Sequence, residues 1–358
     1  MTNARIWNFS AGPATLPASV LEEASQSLLD FKGTGMGICE LSHRSAAYDE
    51  VHTEAEARVR RLAGADADAW TVLFLTGGAS SQFYQVPMNL GADADYVVTG
   101  AWAKKAFAEA KALGGGHEAA SSADTTFNHI PKALDLRDEA TYVHMTSNNT
   151  IYGTQYASLP AVGDVPLVSD MSSDMFCRPL DLDAHSLIYA GAQKNLGPAG
   201  VTLVLVRNDL LARSPASLPT MINYNTHAGK RSLFNTPPTF PIYVVSLVLG
   251  WIEAQGGLDA MAARNTAKAN ALYDAIDAIP LYEGHAAKED RSLMNVTFRL
   301  ANPELDAAFL KGAANAGLSG LKGHRSVGGM RASIYNAMEP EGVDALVGYM
   351  RAFAEANG

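Results

Sequence analysis

Apolar residues recur at helical spacing from Leu16 to Phe31, with Val20, Leu21, Ala24 and Leu28 on one face. Pro17 near the start and Gly33 just past the end complete the signature of an amphipathic helix. A second helix is expected over Ala46 to Leu62. The pattern then changes to short β-rich runs separated by helical ones: Thr71 to Leu75, Tyr96 to Val98, Thr141 to Met145, Leu167 to Ser169, Leu187 to Tyr189 and Val201 to Val206. Between them Ser81 to Leu90 and Trp102 to Leu113 read as helices. Such alternation predicts an α/β chain whose mainly parallel sheet is covered by helices.

Thr239 to Ala254 reads as a long, strongly apolar helix, and Gln255-Gly-Gly breaks the pattern. After it come a helix around Ala260 to Ile279, a strand at Asn295 to Leu300, a helix near Glu304 to Ala316 and a last helix at Glu341 to Ala356. This organisation places a large unit over residues 16–257 and a smaller α+β unit over 1–15 together with 258–358. At 358 residues, 47% hydrophobic and 18% charged, the chain is long and apolar enough to fill both.

A formal net charge of −10 argues against a general nucleic-acid binder, so any anion site has to be a local basic pocket in an acidic protein. Cys39 and Cys177 are the only cysteines, and no CxxC spacing or His-rich tract suggests a metal centre. The first eight residues lack the apolar core of a signal peptide, and no apolar run is long enough to cross a membrane, so a cytoplasmic location is the expectation.

Two residues at strand ends carry the sharpest chemical signal. Lys194 lies in Tyr-Ala-Gly-Ala-Gln-Lys-Asn just after a β-type run, and Asp170 ends Val-Pro-Leu-Val-Ser-Asp. Pyridoxal phosphate needs an amine for its aldehyde and a carboxylate beside its ring nitrogen, and this pair offers both. Alone, the aspartate reads equally as a helix cap and the lysine as a surface charge. The turn Thr76-Gly-Gly-Ala-Ser-Ser-Gln joins a strand to a helix and could present backbone N–H groups to a phosphate; it lacks the Lys of a Walker A loop and also reads as a plain Gly-rich turn. Trp102 opens the next helix, where its indole could stack on a pyridine ring or simply fill core. The pairs His43-Arg44 and His324-Arg325, with Arg331, suit a carboxylate or phosphate.

These motifs resemble the phosphoserine aminotransferases. The resemblance is carried by Asn8-Phe-Ser-Ala-Gly-Pro-Ala, Glu40-Leu-Ser-His-Arg, Tyr189 to Gly200, Phe234-Asn-Thr-Pro-Pro-Thr-Phe and Gly323 to Ala337. It implies the aspartate-aminotransferase fold type I of pyridoxal-phosphate enzymes, a large unit with a seven-stranded sheet, and a homodimer whose cofactor sites are completed across the interface. The implied reaction moves an amino group between L-glutamate and 3-phosphohydroxypyruvate, with 4-phosphohydroxy-L-threonine of pyridoxine synthesis as a second substrate. By resemblance, Lys194 holds the cofactor, Asp170 pairs with its ring nitrogen and Trp102 stacks on it. Ala79, Ser80, Thr150 and Gln193 make further cofactor contacts, and Asn235 with Thr236 comes from the other subunit. Ser10 and Arg44 match positions that contact glutamate, Arg331 matches the grip on the α-carboxylate, and His43, His324 and Arg325 fit the distal anion. One departure stands out: Ser80 occupies a position that is arginine in some relatives.

Overall fold

The computed structural model describes residues 5–357. Residues 1–4, part of the expected smaller unit, lie outside the described residues. The main sheet has seven strands, β1 (Trp70–Leu75), β2 (Asp95–Val98), β3 (His117–Ser121), β4 (Val143–Thr146), β5 (Leu167–Asp170), β6 (Leu187–Gly191) and β7 (Thr202–Arg207). They lie in the order β1-β7-β6-β5-β4-β2-β3, and only β7 runs antiparallel to its neighbours. The other six share a direction, which puts the loops after β1, β2, β4, β5 and β6 on one edge. In open α/β sheets that carboxyl edge is where ligands bind.

Burial on both faces explains the near-continuous apolar strands. Along β7, Leu203 and Leu205 enter one core with Val59, Phe74, Ile188 and Leu249, while Val204 and Val206 enter the opposite one with Phe83, Tyr96 and Tyr189. The flanking helices are α1 (Ala18–Ser27), α2 (Ala46–Ala63), α3 (Gly78–Leu90), α4 (Ala101–Ala112) and α5 (Thr239–Ala254).

Two expectations need correction. The first helix stops at Ser27 rather than Phe31, because the returning chain intercepts it: the Ile38 amide donates to the Ser27 carbonyl at 2.8 Å, and the Phe31 amide donates to Met36 at 2.8 Å. Phe31 instead packs edge-on to Tyr243, with ring centroids 5.5 Å apart. The seventh strand, β3, has no counterpart among the expected runs. It is an edge strand of sequence His-Glu-Ala-Ala-Ser in which Ala119 alone is buried, so it carries no apolar alternation to find.

A second, antiparallel sheet joins β8 (Tyr282–Gly284), β9 (Asn295–Leu300) and β10 (Met330–Ser333), covered by α6 (Gly257–Ala278), α7 (Asp306–Asn315) and α8 (Pro340–Asn357). Its core includes Leu272, Phe298, Phe309 and Leu346, and it draws in Phe9 from the chain start. That segment is tied there by a parallel pairing of Trp7–Asn8 with Leu318–Ser319.

A buried polar seam joins this sheet to the loops of the main one. Asn148 donates to Ser173 at 2.8 Å and to Asn295 at 2.7 Å; Asn295 donates onward to Ser333 at 2.9 Å, and the Tyr335 hydroxyl reaches the Ala11 carbonyl at 2.7 Å. Nearby, Lys268 of α6 is only 2% exposed and donates to the carbonyls of Ile334, Tyr335 and Met338 at 2.7–3.0 Å. Burial and the Arg264 charge pull its pKa well below the ordinary lysine value, while three acceptors use all three protons of the ammonium and so oppose that pull. Replacing it by Met strands the buried carbonyls of Ile334 and Met338 and takes one of two donors from that of Tyr335. We expect Lys268→Met to lower unfolding stability by about 3 kcal/mol, read from the urea midpoint; a midpoint equal to wild type would contradict the role assigned to this lysine.

Candidate active site

The loops after β1, β2, β5 and β6, with the segment at Gly12, enclose a cavity of about 530 Å³ lined by, among others, Gly12, Gly77, Ala79, Ser80, Trp102, Asp170, Gln193 and Lys194. Asp170, the last residue of β5, is buried. Its Oδ1 accepts from the Ser172 amide at 3.0 Å and the Ser172 hydroxyl at 2.6 Å, an Asx-type turn. The same hydroxyl accepts from the Gly191 amide at 3.0 Å, so the end of β5 is locked to the end of β6. No protein donor engages Oδ2. Burial raises the pKa of this carboxyl, and the opposing pulls of Lys194 and the Ser172 donors keep it from rising further.

Lys194 follows on the turn after β6, whose backbone is clamped from several directions. The Ala192 amide donates to Val201 at 2.9 Å, Ala14 donates to Gln193 at 2.9 Å, and the Asn195 side chain donates to Met175 at 2.7 Å. Gly12 runs so close that a Cβ there would lie 3.2 Å from Lys194 Cγ, at a φ of +148° that disfavours a side chain. Lys194 Nζ donates to Thr150 Oγ1 at 2.7 Å and stands 5.5 Å from the centroid of the Trp102 ring. Desolvation lowers its pKa to about 8; Asp170 opposes the shift and Arg331 adds to it.

The turn before α3 joins β1 to the helix through two glycines at positive φ. Gly77 has φ +95°, and a Cβ on it would stand 2.5 Å from Ser81 Oγ, so only glycine fits. The amides of Gly78, Ala79 and Ser80 begin a 13-residue helix with no backbone acceptor of their own, at its positive end. The distance-bearing observations fit pyridoxal phosphate: a buried carboxylate oxygen without a donor, an amine of lowered pKa, an indole beside it, and free amides for a phosphate.

The remaining predicted residues divide into two groups. Arg331 on β10 is half-buried, its Nε lacks a partner, and its charge reaches Lys194. His324 Nδ1 accepts from the Ser326 amide at 3.2 Å, which leaves Nε2 as the protonated nitrogen. Burial, then the Arg331, Arg325 and Lys105 charges, lower its pKa from 6.5. By contrast, Ser10, His43, Arg44, Asn235 and Thr236 do not line the cavity of a single chain. Arg44, Asn235 and Thr236 are exposed, and Asn235 borders a separate small recess with Phe74 and Gln85. Sequence reasoning assigned no role to Ser172, Gly12 or Lys105. Ser172 was signalled by its place two residues after a strand-end aspartate, and Gly12 by the Ala-Gly-Pro motif.

The aminotransferase class-V family model matches residues 6–346. A phosphoserine aminotransferase of Desulfatibacillum aliphaticivorans is 55% identical over 99% of each chain. Among solved structures, phosphoserine aminotransferase from Bacillus circulans subsp. alkalophilus superposes with a TM-score of 0.97 at 51% identity, covering 99% of this chain and 100% of the other. The enzyme from Trichomonas vaginalis, described as PLP bound, gives 0.92 at 37% identity over 97% and 100%. The sheet is that of fold type I, and pyridoxal phosphate is the cofactor for which the cavity is built. The chain belongs to the class-V aminotransferases, in the phosphoserine aminotransferase family.

Proposed function

We propose that the chain moves an amino group reversibly between L-glutamate and 3-phosphohydroxypyruvate, giving 2-oxoglutarate and O-phospho-L-serine in serine biosynthesis. The observation that carries this reading is the pairing of a donor-free carboxylate oxygen on Asp170 with a desolvated amine on Lys194 in one cavity beside an unpaired Arg331. Bound there, pyridoxal phosphate supplies an electron sink for the carbon whose proton is removed. Asp170 keeps a positive charge on the ring nitrogen, Trp102 covers the ring, and the amides of Ala79 and Ser80 hold the phosphate. Thr150 and Gln193 fix the lysine end of the site.

Lys194 holds the cofactor covalently until glutamate displaces it; its freed amine then takes the Cα proton and redelivers it. Arg331 grips the α-carboxylate, and Ser10 and Arg44 contact glutamate. His43, His324 and Arg325 receive the distal anion. The exposure of Asn235 and Thr236 away from the cavity supports a homodimer in which these two residues reach the cofactor site of the partner. Separate hydrophobic cores support a boundary between residues 16–257 and the unit formed by 1–15 and 258–358.

A coupled assay with glutamate tests the reaction, and 3-phosphohydroxypyruvate should be preferred over hydroxypyruvate. In the same assay Asp170→Asn should fold normally and lose about 10²–10³ in kcat; near-wild-type turnover would refute the role of the carboxylate. The lowered lysine pKa makes a separate prediction. With a pKa of about 8, about a tenth of the Lys194 amines are neutral at pH 7, against roughly three in ten thousand for an unperturbed lysine. Since the neutral amine attacks the aldehyde, the rate at which apoenzyme takes up cofactor should climb with pH and level off above about 8. A rate still climbing at pH 10 would show that burial does not depress this amine. His324 should also respond. Its pKa below 6.5 leaves it neutral at pH 7, and a bound dianion favours the charged form. Calorimetry in buffers of different ionisation enthalpy should therefore show proton uptake with phosphoserine, larger than with glutamate and absent in His324→Asn.

A further inference from the structure

We propose that Lys105 reads the charge of the substrate's distal group, adding a fixed cation to the anion pocket bordered by His324 and Arg325. The proposal deepens the reading above and rests on its phosphorylated acceptor. Lys105 lies three residues after Trp102 on α4, and its Nζ stands 4.4 Å from the centroid of the Trp102 ring. That indole lines the cavity, and Lys194 Nζ approaches the same ring at 5.5 Å. The cation–π contact thus holds the exposed lysine side chain against an indole that lines the cavity, although Lys105 itself does not line it.

Its electrostatic surroundings point the same way. Lys105 makes no ion pair among the described residues, although the protein carries a net charge of −10. The charges that act on His324 are instead all positive: Arg331, Arg325 and Lys105. Cations gathered without acidic neighbours repel one another until an anion arrives, and they attract it in proportion to its charge. Ser80, which lines the cavity, contributes only a neutral hydroxyl. A phosphate carries nearly two charges, the γ-carboxylate of glutamate one, and the hydroxyl of hydroxypyruvate none. A fixed ammonium therefore favours these three ligands in that order.

Steady-state kinetics of the Lys105→Met holoenzyme test this. KM for 3-phosphohydroxypyruvate should rise about tenfold, the equivalent of one charge-assisted hydrogen bond. KM for glutamate should rise roughly two- to threefold, in keeping with a single charge, and KM for hydroxypyruvate should not change. Turnover at saturation and the spectroscopic Kd for pyridoxal phosphate should stay at wild-type values. Lys105→Arg should retain most of the effect, and the neighbouring exposed Lys104→Met should have none, which separates position from net charge. Unchanged KM values in Lys105→Met would overturn the proposal. An equal loss with all three ligands, or weakened cofactor binding, would also overturn it, because Lys105 would then act only by steadying Trp102. A wild-type enzyme indifferent to the phosphate would sink the assignment of the reaction itself. A preference undiminished in Lys105→Met sinks only the assignment of this lysine.

Discussion

A carboxylate and an amine share one cavity without touching. Asp170 spends one oxygen on Ser172, Lys194 donates to Thr150, and no ion pair joins the two residues. Left to themselves, opposite charges in a low-dielectric site would collapse onto each other. Backbone geometry prevents it. Asp170 is opposite Tyr189 in the register of β5 and β6, and the lysine comes five residues later, on a turn clamped by Val201, Met175 and Ala14. The gap held open in this way is filled by a ring that needs a carboxylate at its nitrogen and an amine at its aldehyde. The parallel sheet matters to function mainly because it fixes that gap.

The second sheet supplies what the first cannot. Arg331 stands on β10 opposite Thr297 of β9, and β9 is joined to the loop after β4 through Asn148 and Asn295. That loop also carries Thr150, the partner of Lys194. One hydrogen-bonded seam therefore sets the position of Arg331 relative to the Lys194 amine. A network so deeply buried is stiff only when every member is satisfied, which it is at Asn148, Asn295 and Ser292. Lys268 extends the same logic to the turn after β10, where an ammonium closes the carbonyls of Ile334, Tyr335 and Met338 together.

Much of this was legible in the chain because strands buried on both faces leave long apolar runs, and chemistry at their carboxyl ends falls at predictable positions. Asp170, Lys194 and the Gly77 turn were found in that way. Edge strand β3 was not, since exposure removes the pattern on which recognition depends. The start of α3 was expected at Ser81 and lies at Gly78, because glycines in the left-handed region give no helical signal although they shape its first turn. Asn235, Thr236, His43 and Arg44 were named from motif resemblance, and one chain does not gather them about Lys194. Spacing within a sequence cannot show which side chains converge from separate loops, still less from a second subunit. Lys105 escaped notice for a related reason: an exposed lysine on a helix is unremarkable until its contact with Trp102 and its cationic neighbours are seen.

Eight arginines are ion-paired among the described residues, whereas Arg178, Arg213 and Arg264 of the scaffold are not. Arg58, Arg60, Arg61, Arg137, Arg207, Arg231, Arg291 and Arg299 each rest against a carboxylate. Arg44, Arg325, Arg331 and Lys105 do not, in a protein with ten more acidic than basic side chains. Pairing them would have been easy for such a chain, and it would have blocked the site, because an arginine already holding a carboxylate has its fork occupied. Leaving them unpaired lowers stability through mutual repulsion, and burial, then the charges of Arg331, Arg325 and Lys105, pull the His324 pKa down. A neutral histidine among fixed cations is the least repulsive way to hold a further positive charge in reserve. It adds nothing to the repulsion when the pocket is empty and gains a proton when a dianion makes that favourable. The pocket can thus meet a carboxylate and a phosphate in alternate half-reactions without being rebuilt between them.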